Sequence, residues 1–214
     1  MKEKIAICGT HGVGKSKICR TIYAKYKVSV NIDDFEKLEF IPEQFREVVK
    51  DIYKFEKQTE EITLATYAKQ LYLENLYTAQ GKNILCDRSV LDTFVYFLFN
   101  GYIEYKNNNK HVNAMKLGGM FGFNFRDAKA SDLLLEHYSI AIKQIKTYSK
   151  IYLIEPSDRE IENDGFRMTD KEKQLEIHKL FLEYFKDFPN VEIINQEDAH
   201  KPEFIKRVVR EFRI

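Results

Sequence analysis

The feature that most restricts this fold is a glycine-rich segment at residues 9–16, directly after the apolar run Ile5 to Cys8. The segment fits the pattern G-x-x-x-x-G-K-[ST] without a mismatch and reads Gly9-Thr10-His11-Gly12-Val13-Gly14-Lys15-Ser16. A helical pattern follows, with Ile18 and Ile22 on one face. The chain therefore predicts a strand, a phosphate-binding loop and a helix in this order, which is the context that gives the pattern its chemical meaning.

The residues of this phosphate loop (residues 9–16) have distinct predicted roles. Glycines let the backbone curl so that its N–H groups point at phosphate oxygens, and the helix N-terminus adds partial positive charge. Lys15 is expected at the outer phosphates as a catalytic residue, and Ser16 is expected to ligate Mg²⁺. We assign the loop and Lys17 to binding ATP, with GTP as the other candidate nucleotide. The pattern does not require His11, which we interpret as a loop filler.

Length and charge restrict the class of protein. A chain of 214 residues fits one α/β domain, and we predict a single domain over residues 1–214. Its 34 basic and 33 acidic residues give a formal net charge of +1, so no whole-protein field gathers nucleic acid or membrane. The expected partner is therefore a small molecule rather than a nucleic acid. The sequence predicts no oligomeric state.

The sequence also bears on the compartment. The N-terminus runs directly into the first strand pattern, with no signal peptide. The longest apolar run, 90–99, contains Asp92 and is too short to span a bilayer. Cys8, Cys19 and Cys86 lack metal-site spacing and are expected to be reduced, buried thiols. A cytoplasmic protein is predicted.

Short apolar runs alternate with helical patterns along the chain. Strands are predicted at 5–8, 38–41, 83–86, 151–154 and 191–194. Seven helices are predicted: one after the phosphate loop, one at 45–57, one at 59–79, one from Ser89, one at 131–148, one from a capping box at Thr169 to Phe185, and one at 202–212. Pro42 is expected in the first turn of the helix that includes 45–57. This alternation predicts a three-layer α/β P-loop NTPase fold, with about five parallel strands and helices on both faces.

Two segments are predicted to be lids or insertions. The polar, glycine-rich stretch 101–130 is long for a plain connection. The second is an arginine-containing lid at 156–169, in which Gly165 permits a hinge and Arg167 could reach the triphosphate as a catalytic arginine finger. The alternative for the second segment is a solvated loop with local ion pairs.

Asp87 and Arg88 follow the third predicted strand. Because the carboxyl ends of parallel strands meet at one edge of the sheet, both should adjoin the phosphate loop. Asp87 could hold Mg²⁺, and Arg88 could stabilise charge on a transferring phosphoryl group. The alternative is an Asp–Arg pair at a helix start, where Ser89 and Asp92 form a capping box. Arg88 stands where mechanical ATPases usually carry a water-positioning glutamate, which favours transfer over hydrolysis.

Glu43 and Arg46 follow the second predicted strand. Glu43 could accept a proton from a substrate hydroxyl. Arg46 lies three residues on and would share its helix face. Together with Arg88, these residues form the predicted acceptor site. Glutamate is also favoured in the first turn of any helix by the helix dipole, so the pattern leaves both interpretations open.

In this order, the motifs resemble the P-loop AAA-type ATPase and kinase group that includes the ribosylnicotinamide kinase domain of NadR, a relative of nucleoside and thymidylate kinases. The resemblance spans nearly the whole chain and rests on residues 9–16, Pro42-Glu43 with Arg46, Asp87-Arg88 with Asp92, and Asp164-Gly165-Phe166-Arg167. It implies Lys15 and Ser16 at ATP and Mg²⁺, Glu43 near the acceptor, and Arg167 in the lid. By analogy, the loop 195–201 lies near the nucleobase. The stretch 101–130 matches nothing in the group, which leaves the acceptor open.

The first function hypothesis is a small-molecule kinase that phosphorylates a nucleoside, a nucleotide or a ribosylnicotinamide-like acceptor. The second is an ATPase or GTPase that acts as a nucleotide-dependent switch. The third, a polynucleotide 5′-kinase, needs a basic groove, for which the local candidates are Lys106, Lys110, Lys116 and Arg126.

Overall fold

The protein is built around a sheet of five strands. They are β1 (Lys4–Gly9), β2 (Leu38–Ile41), β3 (Asn83–Asp87), β4 (Lys150–Glu155) and β5 (Val191–Asn195). All neighbouring strands are parallel, and their order is β2-β3-β1-β4-β5. The computed structural model describes residues 2–49, 60–107, 128–158 and 170–212. The predicted α/β class and five-stranded parallel sheet are confirmed.

Helices connect the strands and cover the sheet. They are α1 (Lys15–Lys27), α2 (Ile32–Phe35), α3 (Gln44–Val48), α4 (Glu60–Ala79), α5 (Val90–Asn107), α6 (Ala128–Ile145), α7 (Lys171–Phe185), α8 (Gln196–Ala199) and α9 (Pro202–Glu211). No helix in the described ranges combines the length and apolar character needed to cross a membrane.

The two faces of the sheet bury separate clusters because alternate strand residues point to opposite sides. On one face, Ala6 and Cys8 pack with residues of α4 to α7, including Phe94 and Phe181. On the other, Ile5 and Ile7 pack with α1 and α9. Every residue of β1 is buried, as expected for a central parallel strand covered on both sides.

Two helix starts differ from the sequence prediction. Pro42 is not in the first turn of α3, because Glu43 has a non-helical ψ of 108° and α3 begins at Gln44. The N-cap of α7 is Asp170 rather than Thr169, because its side chain accepts hydrogen bonds from the N–H groups of Glu172 and Lys173. The predicted box at Ser89 is confirmed: Asp92 accepts from the Ser89 N–H at 3.0 Å, and Ser89 Oγ accepts from the Leu91 N–H at 3.1 Å.

The polar stretch expected to begin at residue 101 instead begins as helix, since α5 continues to Asn107. A single interior glycine such as Gly101 costs a helix only about 1 kcal/mol, which apolar packing earlier in α5 can offset. The remainder of the predicted insertion, 108–127, lies outside the described residues, as do 50–59 and 159–169.

Strand pairing brings the two main motifs together. β1 and β3 are neighbours, with Ile7 opposite Asp87. The Arg88 N–H donates to the Ile7 carbonyl at 3.1 Å and continues the pairing beyond β3. The phosphate loop and the Asp87-Arg88 pair therefore leave the same edge of the sheet side by side.

Candidate active site

The phosphate loop leaves β1 at Gly9 and enters α1 at Lys15. Gly9 and Gly14 have φ angles of 133° and 84°, in the region that favours glycine. A Cβ on Gly9 would lie 2.7 Å from the Ile154 carbonyl oxygen, and a Cβ on Gly14 would lie 2.5 Å from His200 Nε2. The first N–H groups of α1 have no intrahelical acceptors, so this turn provides donors for an anion.

Lys15 lies folded within this loop. It is 5% exposed, and its ammonium group donates to the carbonyl oxygens of Gly9, at 2.8 Å, and Thr10. Burial, together with the positive charge of Arg88, lowers the pKa of Lys15 to about 8. The loop thus holds a desolvated cation next to the N-terminus of α1.

The first half of the loop is anchored from outside. Asp92 Oδ1 accepts from the Gly9 N–H at 3.2 Å, and the Tyr96 hydroxyl accepts from the His11 N–H at 2.7 Å. Gln174 Nε2 donates to the His11 carbonyl oxygen at 2.6 Å. Residues of α5 and α7 therefore hold the loop in place through its backbone. Two of the three backbone groups that they bind, an N–H and a carbonyl, belong to His11.

Ser16 and Asp87 come together beside the loop. The Ser16 hydroxyl neighbours the carboxylate of Asp87, which is 3% exposed. Burial raises the pKa of Asp87, while the Ser16 hydroxyl acts in the opposite direction. Among the described residues, Asp87 Oδ1 is buried without a hydrogen-bond partner. A hydroxyl and a carboxylate oxygen without a hydrogen-bond partner are suitable ligands for Mg²⁺.

The donor set around Asp87 also indicates how such an ion would be held. In the described parts of the chain, no group of three or more His, Cys, Asp or Glu side chains could hold a metal by itself. An ion at Ser16 and Asp87 would need further oxygen ligands. Nucleotide phosphates and water supply these in sites that bind Mg²⁺ through one or two protein groups.

Arg88 has an unusual backbone conformation. Its φ of 81° is the one positive value among the described non-glycine residues. Such a conformation is costly for a side chain with a Cβ and persists only where the surroundings over-determine it. Arg88 Nε lies 2.6 Å from Glu43 Oε1, Nη1 lies 3.4 Å from Asp92 Oδ1, and the guanidinium carbon lies 5.2 Å from the centre of the Tyr96 ring.

Glu43 completes the charge cluster. Its carboxylate bridges two arginines, since Oε1 contacts Arg88 and Oε2 lies 3.0 Å from Arg46 Nε. Burial favours the neutral acid, but the charges of the neighbouring cations outweigh burial and hold the pKa of Glu43 below its ordinary value. Glu43 is therefore ionised at neutral pH and suited to accept a hydrogen bond from a hydroxyl. Because its pKa is low, it is a weak general base.

The structure thus brings together the phosphate loop, Ser16, Asp87, Arg88 and Glu43. Arg46 is at the margin, with 38% of its side chain exposed. Arg167 lies outside the described residues, so its predicted role stays a prediction. The same holds for Lys110, Lys116 and Arg126.

A cavity of about 360 Å³ lies beside the phosphate loop. Its lining includes Lys17 and Thr21 of α1, and His200, which follows α8. His200 Nε2 lies 3.2 Å from the Val13 carbonyl oxygen, so the segment after β5 touches the loop. Lys17 is exposed here and is not part of the anchored loop.

Sequence reasoning missed two contacts of the site, Tyr96 and Gln174. A signal existed for Tyr96, because it lies four residues after Asp92 and so shares its face of α5. Gln174 reaches the loop from far along the chain, and no local pattern marks it. His200 lies within the segment 195–201, which the resemblance placed near the nucleobase, but its contact with Val13 was not predicted.

The lowered pKa of Lys15 leads to a test of the loop. Near pH 8, about half of the unliganded protein carries neutral Lys15. Polyphosphate next to the amine favours the ammonium form, so ATP binding should take up about half a proton at pH 8 and much less at pH 6.5. Calorimetry in buffers of different ionisation enthalpy measures this uptake. A Lys17→Met protein should show the same difference in uptake between the two pH values even if its affinity for ATP is lower, and equal uptake at both pH values in wild type would contradict the assignment.

A family model described as an AAA domain matches residues 4–200. The comparison with curated proteins gave no match. A crystal structure of NadR protein in complex with NR has a similar fold, with a TM-score of 0.60 at 14% sequence identity. That match covers all of this chain and 52% of the NadR chain, so this chain spans about half the length of that protein.

The NadR likeness, at this identity, concerns the fold alone. The family match is of a different kind, because it includes the phosphate loop, all five strands and the Asp87-Arg88 pair. The chain therefore belongs to this family of AAA domains and carries a P-loop of the nucleotide-binding type.

Proposed function

We propose that the protein is an ATP-dependent small-molecule kinase that transfers the γ-phosphoryl group to a nucleoside, a nucleotide or a ribosylnicotinamide-like acceptor. The observation that carries the proposal is the position of Arg88. It leaves β3 beside the phosphate loop and contacts Glu43 at 2.6 Å, so one cation adjoins both halves of the site. This arrangement supports transfer to an acceptor held by Glu43 and Arg88.

At the nucleotide side, the N–H groups at the start of α1 and the Lys15 ammonium would bind the phosphates. Lys15 would exchange its bonds to the Gly9 and Thr10 carbonyls for phosphate oxygens. Ser16 and Asp87 would hold Mg²⁺, which when bound neutralises charge on the transferring phosphate. The cavity at Lys17, Thr21 and His200 is our candidate for the nucleobase.

At the acceptor side, the ionised Glu43 carboxylate would accept a hydrogen bond from the acceptor hydroxyl and orient it. Arg88 would then stabilise the negative charge that develops on the phosphoryl group in transit. Transfer of this kind depends mainly on positioning and charge stabilisation, and these residues can supply both. Arg46 would contribute less, because it is more exposed.

The nucleoside-like acceptor class is inferred from the likeness of fold. The NadR structure with NR supports a nucleoside-like acceptor only through a shared fold. We further propose that residues 1–214 form one catalytic unit, in which Arg167 approaches the triphosphate. We also propose that the protein is located in the cytoplasm, where ATP is abundant.

The test is a product survey. Purified protein is incubated with ATP, Mg²⁺ and a panel of nucleosides, nucleotides and ribosyl compounds, and the products are identified by mass spectrometry. Wild type should phosphorylate at least one member, and Lys15→Ala should phosphorylate none. The same products from both proteins would show that the site is wrong. Tight ATP binding without any phosphorylated product would count against the kinase.

A further inference from the structure

Tyr96 contacts both parts of the site that phosphoryl transfer must coordinate. Its hydroxyl accepts from the His11 N–H at 2.7 Å and lies 3.0 Å from His11 Nδ1. The Arg88 guanidinium carbon lies 5.2 Å from the centre of the same ring. Burial raises the pKa of Tyr96, and the positive charge of Arg88 acts in the opposite direction. One side chain of α5 therefore touches the phosphate loop and the arginine of the acceptor side.

The hydroxyl is bound to the loop through His11. A tyrosine hydroxyl has one proton to donate and two lone pairs to accept with. The His11 N–H donates to one lone pair, and His11 Nδ1 lies within hydrogen-bond distance of the same oxygen. The positive charge of Arg88 also acts on this hydroxyl. Removing the hydroxyl would therefore affect both the loop and Arg88.

Asp92 reinforces this arrangement one turn earlier on α5. Its Oδ1 accepts from the Gly9 N–H at 3.2 Å and lies 3.4 Å from Arg88 Nη1. Asp92 and Tyr96 thus form one face of α5 that contacts the loop at two points and Arg88 at two points. This bridging is consistent with the strained backbone of Arg88, which needs several contacts to persist.

We propose that Tyr96 is a positioning residue that couples the phosphate loop to Arg88. The inference rests on the proposed kinase activity of the same site. Without the hydroxyl, the guanidinium retains Glu43 and Asp92 but loses its connection to the His11 end of the loop. The consequence is a loss of alignment between the bound triphosphate and the cation that stabilises transfer, with the triphosphate still bound.

The first test is a Tyr96→Phe variant. We expect kcat to fall about 10- to 100-fold, because the loop loses its bond at His11 and the Arg88 charge loses a neighbouring polar oxygen, while KM for ATP stays within about threefold. Tyr148→Phe is the matched control, because its hydroxyl bonds Glu74 at 2.5 Å, within the core cluster and away from the loop. It should lower stability and leave kcat within about twofold. An unchanged kcat in Tyr96→Phe, or a loss confined to KM for ATP, would overturn the proposal.

A double-mutant cycle with Arg88→Ala separates positioning from a general structural effect. If Tyr96 acts through Arg88, Tyr96→Phe should have little further effect on kcat in the Arg88→Ala background. Independent, additive losses in the two variants would overturn the proposal, even if each single loss is large.

A final measurement distinguishes failure of this inference from failure of the kinase proposal. The Arg88 Nε–H signal is followed by ¹⁵N NMR during titration with ATP. Wild type should show a shift that is strongly reduced in Tyr96→Phe, whether or not any acceptor is phosphorylated. If wild type transfers no phosphoryl group but this difference is found, the proposed function fails and the coupling stands. Equal shifts in both proteins would overturn the coupling.

Discussion

Replacing Arg88 with alanine is expected to lower kcat about 10³-fold or more, the range for an arginine that stabilises transferring phosphoryl groups. The reason is its position, since its guanidinium lies 2.6 Å from Glu43 and its backbone continues from β3 beside the phosphate loop. ATP binding should be much less affected, because Lys15 and the N–H groups of α1 remain. Steady-state kinetics and calorimetry separate these two effects.

Arg46→Ala is the matched control for this experiment. Arg46 pairs with the same carboxylate at 3.0 Å but is 38% exposed, against 17% for Arg88. If the loss came only from removing a partner of Glu43, both variants would be similarly impaired. We expect kcat of Arg46→Ala to fall by less than about tenfold. Arg88→Lys should recover only part of the rate, since lysine keeps the charge but not the forked geometry. Equal losses in the two alanine variants would contradict the role of Arg88.

Replacing Glu74 with alanine is expected to lower the free energy of unfolding by about 3–5 kcal/mol, the range for breaking a buried ion pair. Glu74 is 1% exposed. Its carboxylate lies 2.8 Å from Lys4 Nζ and accepts hydrogen bonds from Gln70 Nε2 at 2.7 Å and the Tyr148 hydroxyl at 2.5 Å. Alanine would leave three buried donors unpaired, and urea unfolding measures the cost.

Two controls define the Glu74 effect. Glu192→Gln removes a carboxylate that contacts Lys150 and Arg207 at the surface, and it should cost no more than about 1 kcal/mol. A Lys4→Met/Glu74→Leu double variant removes both buried charges and should recover much of the stability lost in Glu74→Ala. A loss below about 1 kcal/mol in Glu74→Ala would contradict the buried network.

The parts of the site that the sequence predicted are those encoded locally. The phosphate loop needs glycines and a lysine at fixed spacing. The position of Asp87 and Arg88 could be inferred because a buried strand pattern ends there. In a parallel sheet, the carboxyl ends of the strands lie at the same edge. The same reasoning located β2, and therefore the vicinity of Glu43.

What the sequence did not reveal depends on distant parts of the chain. The Lys4–Glu74 pair joins residues 70 positions apart, and in a single sequence both look like solvated charges. Gln174 and His11 are 163 positions apart, and only the packing of α7 against α5 brings them together. The low pKa of Glu43 is also largely tertiary, since two of the cations that lower it, Arg88 and Lys15, lie on other elements.

The central claim is that this site transfers a phosphoryl group rather than releasing it. The most direct measurement is the ratio of ADP formed to phosphorylated product formed, followed over time with ATP and an acceptor found in the product survey. We expect one phosphorylated product for each ADP, little ADP without acceptor, and neither ADP nor product with Lys15→Ala. ADP and inorganic phosphate formed at the same rate with and without acceptor would contradict the claim and indicate a nucleotide-hydrolysing switch.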